Sequence, residues 1–413
     1  MSRNPLGLFD AFGVELEYMI VDRQTLDVRS VADEVLCAMA GTPTSDVERG
    51  PITWSNELAA HVIELKTTMP EPDLATLPQL FRTAINDLDH VLEPMHLMLL
   101  PTAAHPWMNP EKETELWPHE GTEIYRVYDR IFNCRSHGWG NVQSVHLNLP
   151  FDGAEQFARL HAAIRLILPL LPALAASSPV VDGAFGGFMD CRMKSYADHC
   201  SVVPVMTGDV IPEAIYDEAS YRSEIFGPIA AAIEPHDSDR LMQTDFLNAR
   251  GAIARFDRGS IEIRVMDVQE YPAADVAISA AVVAVLRRLV DETWTSHSSQ
   301  REMPAGELRR ILDATTMDAE RAEIDSAVLL NHFGFDESSM AASEFWQRLL
   351  SETDGVAAEL SDHSRPLQVI LSQGSLASRI MRALGPSFDS HDLHRVYGRV
   401  GECLRQWGSF EPA

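Results

Sequence analysis

The chain has 413 residues, of which 46% are hydrophobic, enough to bury a sizeable core as one large domain or two ordinary ones. A formal net charge of −28 repels phosphate backbones and anionic membranes, so neither nucleic acid nor a lipid surface is an expected partner, although a nucleotide arriving as its metal complex is not excluded. Five cysteines, at 37, 134, 191, 200 and 403, form no C-x-x-C pair, and the opening MSRNPLGLFDAFG lacks an apolar signal core; both point to reduced thiols in the cytoplasm, not to a disulfide framework or a zinc site.

In chain order, residues 10–22 read as a strand and 28–42 and 73–98 as helices, the second from apolar spacing at Leu77, Leu80, Phe81, Ile85, Leu88 and Leu92. Residues 141–151 read as a strand. Residues 154–176 read as a helix, bent or broken where Pro169 and Pro172 remove amide donors. Over 251–268 the pattern is a hairpin, Ala252–Phe256 and Ser260–Asp267, turning at Asp257-Arg258-Gly259. From about 273 the pattern is helical, and the polar stretch 296–306 is the one boundary candidate. The longest apolar runs, Leu166–Ala176 and Val276–Leu286, are too short to span a bilayer. The expected architecture is α+β, with a catalytic region over 1–295 and a helical region over 296–413 packed on it.

Three strands are built alike. Gly13–Val21 sets Val14, Leu16, Tyr18 and Ile20 against Glu15 and Glu17. Gln143–Phe151 sets Val145, Leu147 and Leu149 against Ser144, His146 and Asn148. Ser260–Asp267 sets Ile261, Ile263 and Val265 against Glu262, Arg264 and Met266. Side chains alternate across a strand, so residues i and i+2 share a face about 6–7 Å apart. His61–Thr68 is a weaker fourth case, with Glu64, Lys66 and Thr68 on one side; Glu57 has the opposite parity and joins them only if the chain turns between. For any single strand a solvated sheet face gives the same alternation and is the commoner reading. Several carboxylates facing one another repel unless a cation neutralises them, and oxygen donors with one imidazole suit Mg²⁺ or Mn²⁺. Spacing alone leaves the solvated face and a metal–phosphate site both open.

The motifs Gly13-Val14-Glu15-Leu16-Glu17-Tyr18, Glu64-Leu65-Lys66-Thr67-Thr68, His105-Pro106-Trp107 and Ser144-Val145-His146-Leu147-Asn148 follow one another in that order. Ala176-Ser177-Ser178-Pro179-Val180-Val181-Asp182-Gly183 and Ser260-Ile261-Glu262-Ile263-Arg264-Val265-Met266-Asp267 complete the series. Together they resemble the glutamate–cysteine ligase-like carboxylate–amine ligases, of glutamine synthetase-like fold, over roughly residues 10–290. The resemblance implies a curved antiparallel sheet whose polar concave face holds Mg²⁺ or Mn²⁺ with ATP as co-substrate. It implies Glu15, Glu17, Glu57, Glu64, His146 and Glu262 as metal ligands, Arg264 as the catalytic, phosphate-binding residue, and Asn148 beside the acyl substrate. The family's short Ser-Tyr-Arg signature is replaced here by Asp190-Cys191-Arg192-Met193-Lys194-Ser195-Tyr196, so Arg192 takes the substrate-carboxylate role only if the register allows, and glutamate is not assumed. Arg255, next to the last strands, is a nucleotide contact or an ordinary hairpin residue. The buried-thiol reading of Cys191 and Cys200 is preferred to a nucleophilic one.

The reaction so implied joins a small-molecule carboxylate to an amine through an acyl phosphate. Two other functions remain open: a guanidino-type kinase on the same scaffold, and a non-catalytic nucleotide-binding relative. The oligomeric state is also open, a homo-oligomer being compatible.

Overall fold

The computed structural model describes residues 5–238, 240–353 and 355–412. Strand β1 (Gly13–Asp22) occupies the middle of an eight-stranded sheet because its Val14, Leu16, Tyr18 and Ile20 are all fully buried on one face. To one side lie β2 (Asp46–Arg49), β3 (Ile52–Asn56) and β4 (Val62–Thr67), a meander ending against β1. On the other side β5 (Leu97–Leu100) pairs with the second half of β1, and β6 (Ser144–Pro150) with the first half. Two short ribbons, β7 (Val180–Val181) with β8 (Ala184–Phe185) and β11 (Glu323–Ile324) with β12 (Met340–Ala341), lie outside this sheet. The expected hairpin is β9 (Ala252–Arg255) with β10 (Ser260–Asp267), giving the order β2-β3-β4-β1-β6-β10-β9, with every pairing antiparallel.

The apolar rows of β1, β4, β6 and β10 belong to one continuous core with the helices Leu77–Leu92, Gly153–Ile167 and Pro272–Val290. The last of these is buried on nearly every side, as expected of a helix apolar almost all round. The helix expected over 154–176 does break at its prolines: a 3₁₀ turn covers Leu168–Leu170 and a short helix Pro172–Ala175. The helix expected over 73–98 stops earlier, at Leu92. His96 then adopts a left-handed φ of 59°, which reverses the chain into β5. Strands β2 and β3 were not expected from the sequence. Among the described residues no helix is long and apolar enough to cross a membrane.

The face of β1 that carries Glu15 and Glu17 continues with Met19 and Val21, and here its character changes. Met19 and Val21 pack with Met98 and Leu100 of β5 and with Leu376, Ile380, Val396, Tyr397 and Val400. Those last residues come from the helices Leu376–Leu384 and Ser390–Gln406. The chain after 295 therefore covers one end of the polar face and leaves the other end open. A buried ion pair fastens it: Arg379 Nη1 lies 2.6 Å from Glu270 Oε1 and donates at 2.8 Å to the Phe410 carbonyl. Removing one partner of a buried pair strands the other charge. Arg379→Ala should cost about 3–5 kcal/mol in urea unfolding. An unchanged midpoint would show that this pair does not hold the C-terminal helices in place.

Candidate active site

The pairing register sets Glu17 opposite Glu64, Glu15 opposite both Lys66 and His146, and Glu262 opposite Asn148, all on the face away from the core. Glu15 accepts a hydrogen bond from Asn148 Nδ2 at 3.0 Å, and its other oxygen lies 3.0 Å from His146 Nδ1. Glu17 accepts from the Ser144 amide at 2.6 Å and from its hydroxyl at 3.0 Å. Glu64 accepts from Ser55 Oγ at 2.6 Å and from Lys66 Nζ at 2.8 Å. Glu262 stands 2.8 Å from Arg264 Nε and 3.7 Å from Arg255 Nη1. Glu57 sits between β3 and β4, where the chain turns, and the turn brings it into the cluster despite its parity.

Two sets of donors result. Ligand atoms of Glu15, Glu64 and His146 lie within 4.8 Å of one another, as do those of Glu17, Glu57 and Glu64, so that Glu64 is common to both. Glu262 belongs to neither set; arginines flank its carboxylate on both sides. A third acidic group, Asp389, His391 and Asp392, is largely exposed, and Asp389 and Asp392 are used in capping the last helix.

The charges are crowded. Burial, together with the charges of Glu17 and Glu64, pushes Glu57 well above the carboxylate range. Burial and the neighbouring Glu15 push Glu64 up to about 7, against the pull of Lys66 and Ser55. Burial would raise Glu15 as well, but the hydrogen bond and charge of His146 hold it down at about 2. Burial and Arg264 act against a charged imidazole at His146, yet Glu15, Glu17 and Glu262 push it up to about 9. This donor set, carboxylate oxygens with one imidazole, has the chemistry of a hard divalent-cation site.

On β10 the structure corrects one expectation. The β10–β6 register slips between Ile263 and Met266, a bulge that sets two residues of β10 against one of β6. Parity is lost there. Met266 turns into the core beside Val145, and Asp267 takes its place on the polar face, opposite Ser144. Asp267 accepts from the Ser177 amide and the Ser178 hydroxyl, both at 2.8 Å, and from Arg192 Nε. Arg192 is thus already paired. Its Nη1 donates to the Arg264 carbonyl at 3.3 Å, and its Nη2 has no hydrogen-bond partner. Arg264 also approaches Tyr196 Oη, at 3.4 Å.

Two cavities reach the cluster from different ends. One, of about 540 Å³, touches Glu17, Glu57, His146, Arg192 and Arg264. Its outer wall is aromatic, with Tyr125, Tyr128, Trp139, Tyr196 and Phe246. The other, of about 740 Å³, touches Glu15 and Asn148 and is bounded by Pro70, Pro72, Phe151 and Arg258. Both fall in the range of small-molecule sites, about 300–1,000 Å³. Arg255 lines neither cavity; its guanidinium lies over the Phe246 ring, 4.7 Å from the centroid. The aromatic wall and Asp267 were not assigned roles from the sequence. Tyr125 and Tyr128, three residues apart on the helix Thr122–Phe132, are the one pattern that marks the wall.

The Lys66–Glu64 contact is testable by titration. Lys66 lowers Glu64, so Lys66→Met should move the Glu64 midpoint above its value of about 7, read by ¹³C NMR of labelled glutamate without added metal. An unmoved midpoint would remove Lys66 from the electrostatics of the cluster.

Residues 11–399 match the family model for glutamate–cysteine ligase family 2 (GCS2). An uncharacterized protein of Archaeoglobus fulgidus is 35% identical over 280 residues, covering 68% of this chain and 75% of its own. A candidate glutamate–cysteine ligase 2 of Chromobacterium violaceum is 25% identical over 420 residues, covering 97% of this chain and 96% of its own. The crystal structure of glutamate–cysteine ligase from Francisella tularensis in complex with AMP superposes with a TM-score of 0.58 at 13% identity, over 99% of this chain and 91% of that one. A bifunctional glutathione synthetase from Pasteurella multocida gives 0.51 at 13% identity, over 96% of this chain and 52% of that one. At such identity the two structures speak for the fold, and the match over nearly the whole length decides the family: the chain belongs to glutamate–cysteine ligase family 2 and is a carbon–nitrogen ligase.

Proposed function

We propose that this ligase condenses a carboxylate with an amine at the cost of ATP, through an acyl phosphate, with Mg²⁺ or Mn²⁺ held on the polar face. The observation that carries the reading is the pair of donor sets sharing Glu64, placed between two cavities and beside Arg264. Glu15, Glu64 and His146 would hold one cation and Glu17, Glu57 and Glu64 another. Bound there, divalent cations neutralise phosphate oxygens that the carboxylates would otherwise repel. The AMP complex of the Francisella ligase, on the same fold, supports a nucleotide as co-substrate.

The remaining roles fall to the chain's own residues. Arg264, anchored on Glu262 and part-exposed to the cavity, offers a planar guanidinium to the transferring phosphoryl group. Arg192, fixed by Asp267, has its Nη2 left for a substrate oxygen. Asn148 orients Glu15, and Arg255 steadies Glu262 from behind. In the first step a carboxylate oxygen bonds to the terminal phosphorus of ATP and the bond to ADP breaks. In the second the amine lone pair bonds to the acyl carbon, the carbon–oxygen bond to phosphate breaks, and the surplus proton leaves the nitrogen. A carboxylate is a poor electrophile; phosphorylation supplies its leaving group, and the protein supplies position and charge.

Hydroxylamine tests the first step. It is small and strongly nucleophilic, and should give a hydroxamate in step with ADP and free phosphate when the right acid is present. ADP formed without free phosphate, with the phosphoryl group retained on the product, would identify a guanidino-type kinase instead. Arg264→Lys keeps the charge but not the fork, and should lower kcat by roughly 100-fold while the KM for ATP changes little. Wild-type kcat in that variant would remove Arg264 from phosphoryl transfer.

A further inference from the structure

Two imidazoles line the cavity that holds Arg192 and Arg264, and their nitrogens are used differently. Both nitrogens of His146 are engaged within the acidic cluster, Nδ1 by Glu15 at 3.0 Å and Nε2 by Ser144 Oγ at 2.9 Å. His199, which caps the end of the helix Cys191–Asp198, has its Nδ1 on the Tyr196 carbonyl. A carbonyl can only accept, so Nδ1 carries the proton and Nε2 the lone pair. That Nε2 bonds to none of the described residues, and it is not among the partnerless polar atoms sealed from solvent.

The ring is held from several directions. It stacks on Tyr196, with centroids 4.4 Å apart and planes 24° from parallel, and leans on Trp139 at 4.7 Å. The Trp139 indole donates to the His199 carbonyl at 3.0 Å. Gly138 lets the two segments approach, because a Cβ there would lie 2.7 Å from His199 Cβ and 2.9 Å from the Ser195 carbonyl oxygen. Burial pushes His199 down to about 4, against the pull of the Tyr196 carbonyl, so the ring is neutral. Tyr196 also reaches the other way, its Oη 3.4 Å from Arg264 Nη1. His199 therefore stands one stacked ring away from the arginine that, on the ligase reading, faces the transferring phosphoryl group. An attacking amine must aim its lone pair at the acyl carbon. A fixed acceptor on its N–H does so, and orientation of bound reactants lowers the barrier.

We propose that His199 holds the nitrogen of the acceptor, Nε2 accepting a hydrogen bond from its N–H and turning its lone pair toward the acyl phosphate. The inference rests on the ligase reading above, and its test separates the two. Carboxylic acids, L-glutamate included, are screened against the full chain with ATP, Mg²⁺ and hydroxylamine, and the acid that gives most hydroxamate is kept. The first step is then read as kcat/KM for ATP at saturating hydroxylamine, and the second as kcat/KM for hydroxylamine at saturating ATP. His199→Phe keeps a flat ring against Tyr196 but has no acceptor. Its loss in kcat/KM should be roughly tenfold greater for hydroxylamine than for ATP. His199→Gln sets a carbonyl oxygen near the position of Nε2 and should recover kcat/KM for hydroxylamine to within about threefold of the wild type. If His199→Phe is insoluble, His199→Leu, which also lacks the acceptor, takes its place. Equal losses for both substrates, no loss for either, or a Gln variant as impaired as the apolar one would overturn the inference and leave the ligase reading standing. Absence of hydroxamate from the wild type with every acid would overturn the ligase reading, and the inference with it.

Discussion

Glu17 and Glu64 face each other across a single pair of strands, and both are buried. Like charges directly opposite in a sheet destabilise it, and a buried charge without compensation costs several kcal/mol. With Glu57 brought in by the turn and Glu15 one step along β1, the repulsion is concentrated where four carboxylates meet. The chain offsets part of it. Ser55 and Lys66 serve Glu64, Ser144 serves Glu17, and His146 and Asn148 serve Glu15. Burial and the neighbouring carboxylates still hold Glu57 and Glu64 above the usual carboxylate range. On the proposed reading, bound cations would relieve that repulsion.

Such a cluster survives only on a scaffold with stability to spare. The opposite face supplies it: the apolar residues of β1, β4, β6 and β10 sit in one core with the helix Pro272–Val290. The C-terminal helices add a second core on the polar side, where Met19 and Val21 replace the glutamates. The bulge in β10 does comparable work at the other edge. By turning Asp267 onto the polar face it fixes Arg192, which in turn touches the Arg264 backbone. Both arginines line the same cavity.

Much of this was legible in the sequence where period-2 alternation ran unbroken. Glu15, Glu17 and His146 share a face because nothing interrupts β1 and β6 there, Glu262 joins them because it precedes the break in β10, and the apolar residues between them identify the core. Legibility failed where a single residue changes parity. No pattern in Ile263-Arg264-Val265-Met266 announces a bulge, so Met266 was placed on the wrong face and Asp267 was given no role. The strands β2 and β3 are too short and mixed to stand out, and β5 follows a helix so closely that it reads as its continuation. The aromatic wall is the least visible part. Tyr125, Trp139, Tyr196 and Phe246 lie in separate segments, and only the fold gathers them.

The shared carboxylate of Glu64 is the point on which the account turns, and Mn²⁺ can report on it directly. The metal is titrated into the full chain, with stoichiometry read by equilibrium dialysis and coupling by electron paramagnetic resonance. The account predicts two ions per chain, magnetically coupled through their common ligand. In Glu64→Gln the coupling should vanish and affinity should fall at both positions, with the circular dichroism of the wild type retained. A single uncoupled ion in the wild type, or a Glu64→Gln variant that binds a coupled pair with undiminished affinity, would contradict it.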